Sequence, residues 1–283
     1  MTMQSLMAVM GATIAFGVAT GPCIAQSQIR AGGEIPPGTK TMEVFIVNKG
    51  MPYSGVRVVK NVFFFPDGGS KTETARTKEW RDNEGRHRED ITPNADSDDV
   101  GDESLVTVCK IEDPIEHVRY TWKLGKHVKS VVTETHYEMD GIQQEIWGDP
   151  VHEHKDETGK ARAVVIMPQQ PSANGVSKTV ETLGPEYLNG VYAEGSRSTR
   201  IIQPHTGKNQ TDHEITLVDE LWMAPDLKMY IKMLHVDPSD YTEEVELKDI
   251  DRSNPDPSVF RPPPGMPRRM ATKDDPVWTE PIG

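Results

Sequence analysis

The chain has 283 residues, with 44 acidic side chains against 31 lysines and arginines, so its formal net charge is −13. That charge argues against a nucleic-acid partner, because such a protein needs a basic face to neutralise phosphates. Mean hydropathy is −0.57 and only the N-terminus carries an apolar run that approaches membrane length. An integral membrane protein with several spans is therefore excluded, and the length predicts one or two domains.

The N-terminal segment has the pattern of a secretory signal peptide. Residues 1–25 contain no charged side chain, and Leu6–Thr20 is a run of apolar and small residues. Cys23-Ile24-Ala25 then offers a small-x-small cleavage site before Gln26, although Met1–Ser5 lacks the usual basic residue. We therefore predict a signal peptide over 1–25 and a periplasmic or secreted protein.

Beyond the signal peptide, the chain divides by composition into three parts. Residues 26–40 are polar with Gly and Pro and predict a flexible leader. Residues 41–260 form short β-type segments separated by turn signals, which predicts one mainly β, antiparallel domain with little helix. Residues 261–283 form a Pro-rich tail that cannot continue a sheet and is expected on the surface.

The predicted strands follow one another at hairpin spacing. In the first half they end at strong turns, Pro66-Asp67-Gly68-Gly69 and Asp82–Gly85. In Lys228–His235 the methionines and Ile231 share one face, which is the period of a strand. The best helix candidate is Ser177–Leu188, interrupted by Gly184-Pro185. The predicted strands are Val59–Phe65, Thr72–Arg81, Leu105–Ile111, His117–Trp122, Lys126–Thr135, Ala161–Met167, Val191–Ile202, Glu214–Met223, Lys228–His235 and Glu243–Ile250.

No nucleotide-binding or nucleophile-elbow motif is present in the sequence, and we predict no cofactor. Cys109, the one cysteine beyond the signal peptide, is interpreted as a small buried hydrophobic residue. His152 and His154 would point to the same side of a strand, which suits two imidazoles on one metal ion. A third ligand would have to come from His136, His205 or His213, and a solvated loop is the alternative interpretation.

The acidic run Asp96–Glu103 fits a calcium loop only in part, since its twelfth position is Thr107. We interpret this run as a solvated loop. The aromatic residues are most simply core and cross-strand packing, but on a curved sheet some would line the concave side. Our candidates for that lining are Trp222 above all, followed by Tyr230, Trp122 and Tyr120.

Three blocks of the sequence resemble a family of uncharacterised exported bacterial proteins. The first block comprises Pro52–Ser54, Phe65–Gly68 and Trp80–Arg86, and the second is Ile111–Tyr120. The third comprises Leu183-Gly184, Asn189–Arg197, Glu220–Leu227, Asp237-Pro238 and Asn254–Phe260. More distantly, the chain is similar to half-barrel proteins of the lipoprotein-carrier and envelope-stress-sensor type. This resemblance implies a single curved sheet that binds acyl chains or envelope components on its concave side without being an enzyme.

Three functions stay open at this point. The leading hypothesis is a non-enzymatic exported protein that binds an apolar or amphipathic, lipid-like ligand, or an envelope protein partner, on a concave sheet. The first alternative is a metal-dependent enzyme or metal binder that uses His152 and His154. The second is a structural or interaction module that uses exposed strand edges.

Overall fold

A computed structural model describes residues 44–94, 105–137, 142–147, 167–169, 176–206 and 209–272. Almost all of this part of the chain is β-strand, with a single 3-10 turn, η1, at Pro257–Phe260. No helix in these ranges is long and apolar enough to cross a membrane. The strands are β1 (Val44–Lys49), β2 (Tyr53–Phe64), β3 (Ser70–Arg81), β4 (His87–Pro93), β5 (Thr107–Asp113), β6 (Val118–Leu124), β7 (Val132–His136), β8 (Ile142–Trp147), β9 (Met167–Gln169), β10 (Val176–Leu188), β11 (Val191–Ile202), β12 (Ile215–Ala224), β13 (Met229–Val236), β14 (Tyr241–Asp251) and β15 (Arg268–Met270).

Thirteen strands form one open sheet in the order β15-β7-β6-β5-β4-β3-β2-β14-β13-β12-β11-β10-β9. Every pairing in it is antiparallel except that of β15 with β7. Two meanders, β2 to β7 and β9 to β14, are joined where β14 pairs with β2. The predicted mainly β, antiparallel fold with little helix is confirmed. A separate parallel pair, β1 with β8, was not predicted.

The predicted turns close the hairpins as expected. At the β2–β3 turn Gly69 donates its N–H to the Asp67 carboxylate, and Gly68 adopts a positive φ of 83° that only glycine takes readily. The helix candidate Ser177–Leu188 was wrong, because these residues belong to strand β10. Pro185 cannot supply the N–H that a helix interior needs, and Gly184 marks a register shift in the strand.

The two faces of the large sheet can be assigned from the register. Tyr53, Arg57 and Val59 of β2 lie on one side, which we call the inner face, and the alternate residues lie on the outer face. Arg81 on the inner face donates to the Leu227 carbonyl in the β12–β13 turn, at an N–O distance of 2.8 Å. Arg57 reaches past β14 to the Tyr230 carbonyl. Side chains that span non-neighbouring strands in this way show that the sheet curls around its inner face.

Apolar residues are buried on both faces rather than on one. A cluster that includes Tyr53, Trp222 and Leu247 lies within the curl, joined by Leu227 of the β12–β13 turn. A second cluster contains Ile111, Tyr120, Trp122, Val132 and Phe260. The register places Ile111 and Tyr120 opposite each other on the outer face. The core therefore changes face along the sheet.

The outer-face cluster is covered by the Pro-rich segment that follows β14. Phe260 of this segment is fully buried, and Arg88 of β4 donates to the Val259 carbonyl at 2.9 Å. The guanidinium of Arg88 also lies over the rings of Trp80 and Trp122, 5.3 and 5.4 Å from their centroids. The chain then adds β15 to the edge of the sheet. Residues 257–270 thus form a strap that covers the outer face from β4 to β7.

We expect Phe260→Ala to lower the free energy of unfolding by about 3–5 kcal/mol, since it removes a fully buried ring. Denaturant unfolding followed by tryptophan fluorescence measures this loss. Phe65→Ala is the matched control, because that ring is 46% exposed and its loss should change stability by less than about 0.5 kcal/mol. Equal effects of the two substitutions would contradict the assignment of the strap as part of the core.

Candidate functional site

A continuous apolar row crosses six strands on the inner face. Its members are directly opposite one another in register, from β4 to β12: Pro93, Ala75, Val59, Val245, Met233 and Leu221. Val59, Ala75 and Val245 at its centre are buried, while Pro93, Met233 and Leu221 at its ends are half-buried. At about 4.8 Å between strands the row is about 24 Å long. That exceeds half the roughly 30 Å hydrocarbon core of a bilayer, which is the length that one acyl chain spans.

One side of this apolar row is bordered by an acidic row. This row crosses five of the same six strands, from β3 to β12, and its members lie opposite one another: Glu73, Asn61, Glu243, His235 and Asp219. His235 Nδ1 is 2.6 Å from Asp219 Oδ1, and burial raises the pKa of the Glu243 carboxyl above its usual range. Two of the three carboxylates in this row are also paired with cations, Glu73 with Lys71 and Asp219 with Arg200, so the border is polar and largely charge-paired.

The other side is bordered by a cluster of buried polar groups. Arg57 forms a two-pronged ion pair with Glu79, with N–O distances of 2.6 and 3.1 Å, and the Tyr53 hydroxyl donates to the same carboxylate at 2.9 Å. Arg57 and Glu79 are each 1% exposed. Burial disfavours the ionised Glu79, but the guanidinium outweighs it and holds the pKa below its ordinary value. This pair is a satisfied, ionised unit.

Glu89 lies directly opposite Glu79 on the neighbouring strand and is far less well compensated. Burial lowers the pKa of the nearby His87 imidazole below its ordinary value. The nearest basic groups, His87 Nδ1 and Lys110 Nζ, are each 3.9 Å from the Glu89 carboxylate. That is beyond hydrogen-bond distance. Burial and the nearby charge of Glu79 raise the pKa of the Glu89 carboxyl to about 7. Two carboxyl groups thus face each other, and only one of them has a close counter-charge.

Two side-chain oxygens on this face have no hydrogen-bond partner. The Thr77 hydroxyl is fully buried between the apolar row and Glu79, and Asn61 Oδ1 lies in the acidic row. A buried polar atom left unpaired costs about 1–3 kcal/mol, so each is a position where a bound molecule or water would be stabilised. The inner face is consequently amphipathic in bands, with an apolar strip between polar borders.

The structure divides the predicted aromatic residues between the two faces. Trp222 lies in the inner cluster, with its ring against Gly195 and its indole N–H donating to Glu220 at 2.8 Å. Tyr230 is half-buried. Trp122 and Tyr120 lie together in the outer-face cluster beneath the strap. The structure therefore does not bring the four together, and their role in ligand binding stays a prediction.

The predicted metal ligands His152 and His154 lie outside the described residues, as does the acidic run from Asp96 to Glu103. Within the described part of the chain, no group of three or more His, Cys, Asp or Glu side chains is placed to hold a metal ion. Cys109 is fully buried, and burial followed by the charge of Asp90 raises the pKa of its thiol to about 12. Its interpretation as a buried hydrophobic residue is confirmed.

Sequence reasoning missed the buried polar cluster. Glu89 lies between Arg88 and Asp90, and Glu79 follows Lys78, which is the pattern of a solvated strand, while Arg57 is a single charge within a run of valines. The predicted turn Asp82–Gly85 would have placed Glu79 opposite Arg88, an opposite charge. The observed loop is one residue longer, because Arg81 pairs with His87, and this places Glu79 opposite Glu89.

Comparisons with known proteins give structural likeness only. No family model matches the sequence, and no curated protein matches it. The chain is similar to the crystal structure of a DUF1329 family protein from Desulfovibrio piger, with 9% identity over 75% of this chain and 90% of that one and a TM-score of 0.28. It is also similar to a LolA superfamily protein from Nitrosomonas europaea, with 8% identity over 74% and 90% of the two chains and a TM-score of 0.25.

A third likeness is to a putative outer membrane lipoprotein-sorting protein domain from Vibrio parahaemolyticus. Identity is 7% over 73% of this chain and 89% of that domain, and the TM-score is 0.24. The lipoprotein-carrier class to which the sequence resemblance pointed is thus found among the structural neighbours. TM-scores this low carry no conclusion about function, so any function has to be argued from the inner face itself.

We expect Arg57→Ala to lower the free energy of unfolding by about 3–5 kcal/mol, because it leaves the Glu79 carboxylate buried without its counter-charge. The double variant Arg57→Met with Glu79→Leu should recover most of that loss, since an apolar pair of similar volume replaces both charges. Chemical denaturation of the two variants measures the difference. A double variant as unstable as the single one would show that the pair itself, rather than the orphaned charge, is required.

The raised pKa of the Glu89 carboxyl predicts that the free energy of unfolding depends on pH. The folded protein keeps a proton on this carboxyl up to about pH 7, whereas an ordinary glutamate loses it near 4.5. The folded state therefore binds more protons in that window, so this contribution to stability falls as the pH rises towards 7 and is constant above it. Between pH 5 and 8, the wild type should lose roughly 2–3 kcal/mol relative to Glu89→Gln. A difference that does not change with pH in denaturation experiments would contradict this.

Proposed function

We propose that this protein is a non-enzymatic binder of an amphipathic, lipid-like ligand, which it holds on the inner face of the curved sheet. The observation that carries the proposal is the apolar row from Pro93 to Leu221, continuous over six strands and bordered by polar groups on both sides. A purely apolar ligand would gain nothing from the polar borders. A molecule with one alkyl chain and a polar head matches both features.

The direction of the ligand along the row follows from the position of the polar groups. Thr77 lies next to Ala75 on the inner face of β3, and Glu89 lies one inner-face position beyond Ile91 on β4. At the other end, Met233 is followed on the same face of β13 by the apolar Ile231. The polar head therefore lies over β3 and β4, and the chain extends across β2 and β14 towards β12. Burial of the chain along this row provides the hydrophobic part of the binding free energy.

We place this protein outside the cytoplasm, on the basis of the uncharged, apolar N-terminal segment and its small-x-small site. Cell fractionation with an antibody against the mature domain tests this placement. Recovery in the periplasmic or secreted fraction supports it. Recovery with the cytoplasmic fraction alone would contradict it.

Ligand binding is tested with a neutral single-chain probe, dodecyl maltoside, below its critical micelle concentration. Met233→Gln places an amide in the apolar row and should weaken binding about tenfold, because a methionine contact is worth about 1.5–3 kcal/mol when fully buried. Isothermal titration calorimetry measures the dissociation constant. No binding of the probe to the wild type would overturn the proposal.

The matched control for this experiment is Leu234→Gln. Leu234 is the next residue of β13, is equally half-buried, and lies on the outer face because successive strand residues alternate. We expect this variant to bind the probe as the wild type does. Equal weakening in both variants would assign the effect to loss of stability rather than to contact with the ligand.

A further inference from the structure

Near the end of the apolar row at β3 and β4 lie two buried polar groups that lack a close partner. Thr77 is fully buried and its hydroxyl has no hydrogen-bond partner. Glu89, 7% exposed, has no cation closer than 3.9 Å. The two residues are diagonal neighbours on adjacent strands, with their Cα atoms about 7–8 Å apart. Their oxygens can therefore converge on one small group.

We propose that Thr77 and Glu89 form the head-group subsite of this binding face and that they select a ligand carrying a protonated amine. This inference rests on the proposed function, since the amine is the head of the molecule whose chain lies on the apolar row. The ammonium group donates one hydrogen bond to the Glu89 carboxylate and a second to the Thr77 hydroxyl oxygen. An anionic head at the same place would meet two carboxyl groups, Glu79 and Glu89.

The charges around the subsite favour a cation over an anion. Arg57 is committed to Glu79 through two hydrogen bonds, so it neutralises that carboxylate rather than its neighbour. Of the remaining groups, Lys110 and His87 lie 3.9 Å from Glu89, and burial lowers the pKa of the His87 imidazole. The Glu112 carboxylate opposite His87 is paired with Arg119. An incoming ammonium therefore supplies the close counter-charge that Glu89 lacks.

The subsite should respond to pH. Glu89 is the acceptor only when it is ionised, and its pKa is about 7, while an alkylamine with a pKa near that of lysine, about 10.4, stays protonated throughout. Binding of the amine should therefore be weaker at pH 6 than at pH 8. Binding of an uncharged head should be the same at both.

The experiment compares three probes with the same chain and different heads: dodecylamine, dodecyl sulfate and dodecyl maltoside, all below their critical micelle concentrations. At pH 8 and about 0.15 M salt, where the Debye length is about 8 Å, the general attraction of a chain with net charge −13 for cations is largely screened. We expect the wild type to bind dodecylamine at least about tenfold more tightly than dodecyl sulfate. Equal affinity for the two would overturn the inference.

Two variants test whether the preference for dodecylamine over dodecyl sulfate arises from Glu89. Glu89→Gln should abolish most of the preference for dodecylamine and its pH dependence, while dodecyl maltoside binds as before. Glu112→Gln is the control, since it removes the same charge from the same face but from a half-buried residue that is paired with Arg119. A preference that persists in Glu89→Gln, or that falls equally in Glu112→Gln, would overturn the assignment.

The variant Thr77→Val separates a role of Thr77 in ligand binding from a role in the stability of the fold. It keeps the shape of the side chain and removes an unpaired hydroxyl, so the free energy of unfolding should stay the same or rise. The affinity for dodecylamine should nevertheless fall several-fold. If dodecyl maltoside fails to bind the wild type, the proposed function fails. If it binds but the amine has no advantage, only the head-group subsite fails.

Discussion

The pairing of β14 with β2 is the constraint on which the inner face depends. It joins the two meanders into one sheet and sets their relative register, so that Val245 lies opposite Val59 and Leu247 opposite Arg57. A shift of one residue would turn every side chain of one meander to the other face. The apolar row would then end at β2, and the acidic row would be broken at the same place. Continuity across the joint, rather than the composition of either half, is what makes the face a candidate binding surface.

The buried charges of β2, β3 and β4 lose their hydration when the chain folds, and this desolvation opposes folding unless each charge is paired. Arg57, Glu79 and Tyr53 satisfy one another with short hydrogen bonds, so their desolvation is largely offset. Glu89 and Thr77 are not satisfied in this way. A polar network with some members unpaired is less stable than an apolar core of the same shape. These two incompletely paired groups on neighbouring strands are the observation from which the head-group subsite is proposed.

The outer face has a different role. Trp80, Trp122 and Phe260 are packed there with Arg88 between the strap and the sheet. This surface already has its occupant, since residues 257–270 of the same chain cover it. The strap therefore covers the outer face of the first meander only, and it ties the tail of the chain to that meander.

The sequence by itself determined the strands and turns, because side-chain alternation and turn chemistry are local properties. Val191–Ile202 was predicted with the bounds that the structure has, and the hairpin turns at Gly68 and Gly85 form as expected. The beginning of β2 was missed, since Gly55 and Arg57 interrupt the apolar alternation there. The buried cluster was missed for a related reason, namely that a charged residue on a strand is normally solvated.

Only the tertiary structure decided which residues meet. The register between β14 and β2, the change of core face, the docking of the strap and the approach of Glu89 to Glu79 all join segments that no local pattern connects. The alternation of apolar and polar residues along a strand predicts only that the two faces of the strand differ in polarity. Which side is enclosed depends on the curl of the whole sheet, and that is a property of long-range pairing.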